Sequence, residues 1–136
     1  MERKPPTPFC KAFVACRQII LDQYTGEYTL IAPTHQAVCL TFPTVVHLSI
    51  FARCTSAQGI YELELQLQDL EGEVLWRNTF QPPMECHDPL SVGLLILHNQ
   101  GIYFAQPGKY EFVLLANGEE IVRDVFWARL PNQPAA

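Results

Sequence analysis

From Tyr61 to Gln68 apolar and polar residues strictly alternate. Tyr61, Leu63, Leu65 and Leu67 are apolar, and Glu62, Glu64, Gln66 and Gln68 between them are polar. A pleated strand sends successive side chains to opposite faces, so this segment predicts a strand with one dry and one wet face. A helix would spread the same leucines around its circumference. Asp69-Leu70-Glu71-Gly72 follows as a turn, and Glu73 to Phe80 returns with Val74, Trp76 and Phe80, which makes a hairpin. A second hairpin is predicted near the C-terminus. Lys109 to Ala116 runs into Asn117-Gly118, and Glu119 to Arg129 runs back. Asn-Gly between β-rich runs is a strong hairpin signal, because a type I′ turn needs two positive φ values. Further strands are expected at Phe9 to Arg17, Thr44 to Arg53 and Val92 to Leu97, with shorter ones near Glu27 to Ile31 and Ile102 to Phe104. No stretch keeps helical spacing for more than two turns. Seven to nine short strands punctuated by turns predict an all-β chain, an antiparallel β-sandwich of immunoglobulin-like type.

The C-terminal hairpin looks dry on both sides. A two-residue turn sets Ala116 opposite Glu119, and counting back sets Leu114 beside Ile121 and Tyr110 beside Val125, with Trp127 continuing that inner face. Val113, Leu115, Val122 and Phe126 then share the outer face, where polar residues are the rule. Leu94 to Leu97 is likewise apolar throughout. This register has two awkward points. It puts Arg123 near Phe112 inside and Glu111 opposite Asp124 outside, and a bulge would relieve the first. Dryness on both faces requires a cover. Either the leader or Ile31 to Phe42 supplies it, or a second molecule does, and exposed apolar patches above about 400 Å² usually mark interaction surfaces. The four residues are therefore the expected binding surface of a homodimer or a protein partner.

The length of 136 residues fits one domain. Prolines mark a loose leader over 1–8 and a loose tail over 131–136, which leaves 9–130 as the β-sandwich domain. Hydrophobic residues at 49% exclude a disordered chain, and a net charge of −5 argues against nucleic acid as a partner. No apolar run reaches the roughly 18 residues of a membrane span, so no membrane partner is expected. Five cysteines without C-x-x-C spacing indicate free thiols and a cytoplasmic setting.

Ala15-Cys16, the Asp-x-x-Thr-Gly motif at Asp22 to Gly26, Phe42-Pro43, the turn at Asp69 to Gly72, and Pro107-Gly108-Lys109-Tyr110-Glu111-Phe112 make a recognisable pattern. The chain resembles a family of small bacterial immunoglobulin-like β-sandwich proteins of unknown function, over most of Phe9 to Leu130. The resemblance implies the sandwich and brings no activity, cofactor or catalytic residue. Tyr110 would then be a tyrosine corner, its phenol bonded back to a nearby backbone group.

Met84-Glu85-Cys86-His87-Asp88 is the dense cluster of reactive side chains, and it departs from that pattern. Cysteine, histidine and carboxylate can make a thiolate nucleophile. Adjacent residues of an extended chain point apart, however, so Cys86 would need His47 or His98 rather than His87. The bland expectation is a polar loop bounded by Pro83 and Pro89. Cys86 and His87 are also the nearest approach to a metal or small-ligand site, but short ligand spacings such as C-x-x-C are absent. Phosphate-loop, dinucleotide, nucleophile-elbow and zincin motifs are absent too. The expectation is a non-catalytic interaction module without a cofactor.

Overall fold

The computed structural model describes residues 4–132. Its strands are β1 (Phe9–Cys16), β2 (Gln18–Leu21), β3 (Tyr28–Ile31), β4 (Gln36–Val38), β5 (Thr44–Thr55), β6 (Gly59–Tyr61), β7 (Leu63–Gln68), β8 (Val74–Thr79), β9 (Met84–Cys86), β10 (Gly93–Phe104), β11 (Gly108–Ala116) and β12 (Glu119–Arg129). The described residues contain no helix. The chain is all-β.

Two larger sheets enclose one core. The five-stranded sheet has the order β4-β12-β11-β7-β8, and the three-stranded sheet has the order β1-β5-β10. Within the first, only β4 runs parallel to its neighbour β12. The hairpin β2-β3 and the two-stranded sheet β6-β9 complete the fold. Leu63, Leu65 and Leu67 of β7 are fully buried, as the alternation predicts. They meet Leu48, Ile50, Ala52, Leu95 and Leu97 of the opposite sheet. Aromatic rings fill the middle: Phe104 lies 5.0 Å from Tyr110 and 5.9 Å from Phe126, and Phe112 lies 5.4 Å from Phe126 and 6.0 Å from Phe13. Such pairs add about 0.5–1.5 kcal/mol beyond their area burial.

The Asn117-Gly118 turn forms as expected, with φ of 49° and 82°. It is also tied down, since Asn117 Oδ1 accepts from the Glu62 amide at 2.8 Å. Ala116 pairs with Glu119, but the register then slips. Leu115 faces Glu120 and Leu114 faces Val122, so Ile121 is the extra residue of a bulge. One inserted residue exchanges the faces of everything beyond it. Tyr110 is therefore opposite Phe126, not Val125, and Leu114 is opposite Val122, not Ile121. This bulge moves Arg123 opposite Val113 and parts Glu111 from Asp124, and the exposed Asp124 now stands opposite Phe112.

Other differences from the sequence reading concern short or interrupted strands. The two expected strands between Val92 and Phe104 are one strand, β10, with an irregularity between Leu97 and Gln100 where Asn99 takes a φ of 46°. The expected polar loop over 84–88 contains β9. Outside the strands, Thr7 Oγ1 donates to Glu119 Oε2 at 2.7 Å, and the Tyr61 hydroxyl donates to the Pro6 carbonyl at 2.6 Å. Residues 1–3 and 133–136, the ends of the expected leader and tail, lie outside the described residues.

The Tyr110 hydroxyl donates to the Gln106 carbonyl at 2.5 Å, four residues upstream. Replacing Tyr110 with phenylalanine keeps the ring against Phe104 and leaves that carbonyl unpaired, at an expected cost of about 1 kcal/mol. Urea denaturation of the two proteins checks this. An unchanged midpoint would show that the bond contributes nothing.

Candidate functional site

The four expected interface residues do not share a face. Past the bulge, Val122 and Phe126 point inward. Phe126 is 1% exposed among Phe104 and Phe112, and Val122 packs against the same core. Trp127, expected inside, lies outside, where Lys109 Nζ stands 5.8 Å from its ring. Val113 and Leu115 do take the outer face, yet Val113 is only 1% exposed. Its cover is a roof of long polar side chains. Gln66 Nε2 donates to Glu64 Oε2 at 2.6 Å, and Gln68 Nε2 donates to Gln66 Oε1 at 2.9 Å. Arg123 then reaches Gln68 at 3.4 Å and Glu111 at 3.5 Å. Because β11 lies between β7 and β12, the Arg123–Gln68 bond crosses over β11. Long polar side chains can shield apolar surface with their stems while their heads stay wet.

Cys86 and His87 are held apart. In β9, Met84 and Cys86 point inward and Glu85 points outward, 3.3 Å from the exposed His87 just past the strand. Burial pushes the Cys86 thiol up, the reverse of what a thiolate nucleophile requires. Among the described residues, no three His, Cys, Asp or Glu side chains are placed to hold a metal ion.

A wider opening lies elsewhere. β5 has twelve residues and β1 has eight, and β1 pairs with β5 only from Ser49 onward. At Arg17 the chain leaves β5 to form β2, and the Arg17 amide donates to the Ile31 carbonyl. Thr44 to Leu48 thus keep β10 on one side and, among the described residues, have no paired strand on the other. In a strand, alternate residues turn their N–H and C=O groups toward each side, so this stretch presents an open edge.

That edge borders a cleft of about 740 Å³. Its opposite wall is β4 and the segment after it, with Val38, Leu40 and Thr41. β4 is fixed by its parallel pairing with β12, and a last rung runs from the Cys39 amide to the Arg129 carbonyl at 2.8 Å. Buried Leu48 and Cys39 contribute to the lining, and Arg17 stands at the end where β1 departs. Three apolar side chains that line the cleft are left open to water: Val38 at 51%, Leu40 at 85% and Val45 at 51% exposure. Among the described residues the lining holds no carboxylate, and Arg17 is its one permanent charge, in a chain of net charge −5. The Cys39 thiol is pushed up by burial. The cleft therefore offers hydrogen-bonding backbone, apolar contact and one cation, with no activated nucleophile.

The model of a family of unknown function, DUF6941, matches residues 11–126. The chain belongs to this family. The match runs from β1 into β12 and takes in the cleft. No curated protein matches the chain. DUF6941 carries no assigned activity, so a function for this member has to come from its surface. Sequence reasoning missed the cleft because an overhang appears only once the register of β1 on β5 is known. The expected strands Phe9 to Arg17 and Thr44 to Arg53 are almost equal in length, so they gave no sign of the overhang.

Proposed function

We propose that the chain is a non-catalytic protein-interaction module that takes an extended segment of a partner protein as an added strand along Thr44–Leu48. The observation that carries this reading is the unpaired edge of β5 facing a cleft with exposed apolar walls. Strand addition draws its affinity from main-chain hydrogen bonds and its specificity from pockets for alternate side chains. Val38, Leu40 and Val45 suit apolar side chains on the incoming segment. Arg17, without a neighbouring carboxylate in the lining, suits an acidic residue. The outer face of the five-stranded sheet suits a partner less well, because its own polar side chains already cover Val113. An immunoglobulin-like description of the two-sheet core belongs to the same proposal, supported by the Tyr110–Gln106 bond, and a cytoplasmic setting is supported by five free thiols.

The test is amide chemical-shift mapping with a synthetic peptide that alternates valine and glutamate. Shifts are expected on residues 36–41 and 44–48, and Arg17→Glu is expected to weaken binding about tenfold, or about 1.4 kcal/mol. Shifts spread over the surface, or an unaltered affinity in the Arg17 variant, would overturn the reading. A second copy of the chain is the other candidate occupant. A sedimentation coefficient that rises with concentration in the peptide-free protein would point to it, provided the rise disappears in Arg17→Glu.

A further inference from the structure

Three of the five cysteines gather at one end of the three-stranded sheet. Cys10 of β1 and Cys54 of β5 are directly opposed partners, and on its other side Cys54 faces Gly93 of β10. The space over Gly93 holds two sulfur atoms. A Cβ placed there would stand 2.4 Å from Met84 Sδ and 3.6 Å from Cys86 Sγ. Cys54 is fully buried, whereas Cys10 is partly exposed at the rim, between the exposed Phe9 and Lys11. All of these cysteines are free thiols.

Opposed residues in an antiparallel ladder have Cα atoms about 4.5–5.5 Å apart. A disulfide accepts about 4.4–6.8 Å. The β1-β5 ladder therefore sets Cys10 opposite Cys54 in the range a bridge needs, immediately before the register shift between Cys10 and Ala12. Their side chains also point the same way, since Cys10 packs against the core cluster that contains Cys54. As a thiol, Cys10 donates to the Ala12 carbonyl at 3.2 Å.

We propose that Cys10 and Cys54 form a hydroperoxide-responsive dithiol that closes into a cross-strand disulfide. The Cys10 sulfur attacks one oxygen of the hydroperoxide and the O–O bond breaks. The departing oxygen takes up the Cys10 proton, leaving as water when the oxidant is hydrogen peroxide, and Cys10 becomes a sulfenic acid. The Cys54 sulfur then displaces that hydroxyl, forming the S–S bond, and the hydroxyl leaves as water with the Cys54 proton. The two sulfurs together lose two electrons and the peroxide gains two. A dithiol reductant reverses the bond by exchange.

The electrostatics fit this division of labour. A hydrogen bond from the Cys54 thiol, aided by backbone groups of Ala12 and Arg53, holds the Cys10 pKa below its ordinary value despite burial. The other four thiols are pushed up, Cys54 chiefly by its bond with Cys10 and the rest by burial. The thiolate is the attacking species, and Cys10 is both the acidified thiol and the one in partial contact with solvent. This site is separate from the cleft and does not rest on the peptide-binding reading.

The experiment treats the full chain with hydrogen peroxide, blocks the remaining thiols and maps the peptides by mass spectrometry. The expected result is the loss of two hydrogens in a peptide joining Cys10 to Cys54, reversed by dithiothreitol. Cys54→Ser, which keeps a hydrogen-bond donor beside Cys10, should instead leave a sulfenic acid on Cys10 that dimedone captures, and Cys10→Ala should lose both products. Cys86→Ser should leave the bridge intact. Before any peroxide is added, Cys10 in the native protein should be alkylated about tenfold faster than the other cysteines. A bridge between any other pair, no bridge at all, or a Cys10 no more reactive than Cys86 would overturn the proposal.

Discussion

Phe126→Ala is expected to destabilise the protein by about 3–5 kcal/mol. Phe126 has two aromatic neighbours within 6 Å, Phe104 and Phe112, and is almost wholly shielded from water. Alanine there removes the ring and leaves a hole that neighbours anchored in two other strands, β10 and β11, cannot close. A domain of this size has roughly 5–15 kcal/mol of stability to lose, so the variant is left near the margin. Urea or thermal unfolding measures the loss. The same measurement reads the register, because an outward-facing Phe126 would be replaced at a cost below about 0.5 kcal/mol. Val125→Ala is the companion. It lies on the outer side of β12 and should cost far less.

Gly93→Val is expected to cost about 2–3 kcal/mol by overpacking. The first added carbon would meet Met84 Sδ at 2.4 Å and Met84 Cγ at 3.4 Å, so the methionine has to leave its place. Met84 is a buried core residue in the strand that pairs with β6, and displacing it strains the β6-β9 pairing. Met84→Ala opens the needed space. The double variant should therefore be more stable than the two separate losses added together, a coupling measurable by denaturation of all four proteins. Simple additivity would mean that Gly93 is held for another reason.

Long-period patterns were legible and register was not. The alternation over Tyr61 to Gln68 gave β7 and its buried leucines because a regular pleat needs only local sequence. Asn117-Gly118 gave the last hairpin because its φ values exclude most other residues. The bulge at Ile121 left no such mark. Ile121 and Val122 are both β-branched and apolar, so either could face the core, and side-chain faces through Trp127 were assigned one step out. The three- and four-residue strands β2, β4, β6 and β9 are too short to display a period of two. The cleft depends on where β1 stops along β5, and the Cys10–Cys54 pair depends on the same register between residues 44 positions apart in the chain. Cys86 drew attention because its reactive neighbours are adjacent in sequence. Cys10 gains its character from a neighbour that is distant in sequence.

The place of β12 has a consequence for how the protein is made. This strand lies inside its sheet, with β4 on one flank and β11 on the other, although it follows every other strand in the chain. While Glu119 to Arg129 are still within the ribosome, the sheet cannot close. The nascent chain must carry an unfinished β11 and an uncovered aromatic cluster until translation has passed them. A premature stop just after Gly118 would leave that state permanent, with a long bare strand available to any neighbouring chain.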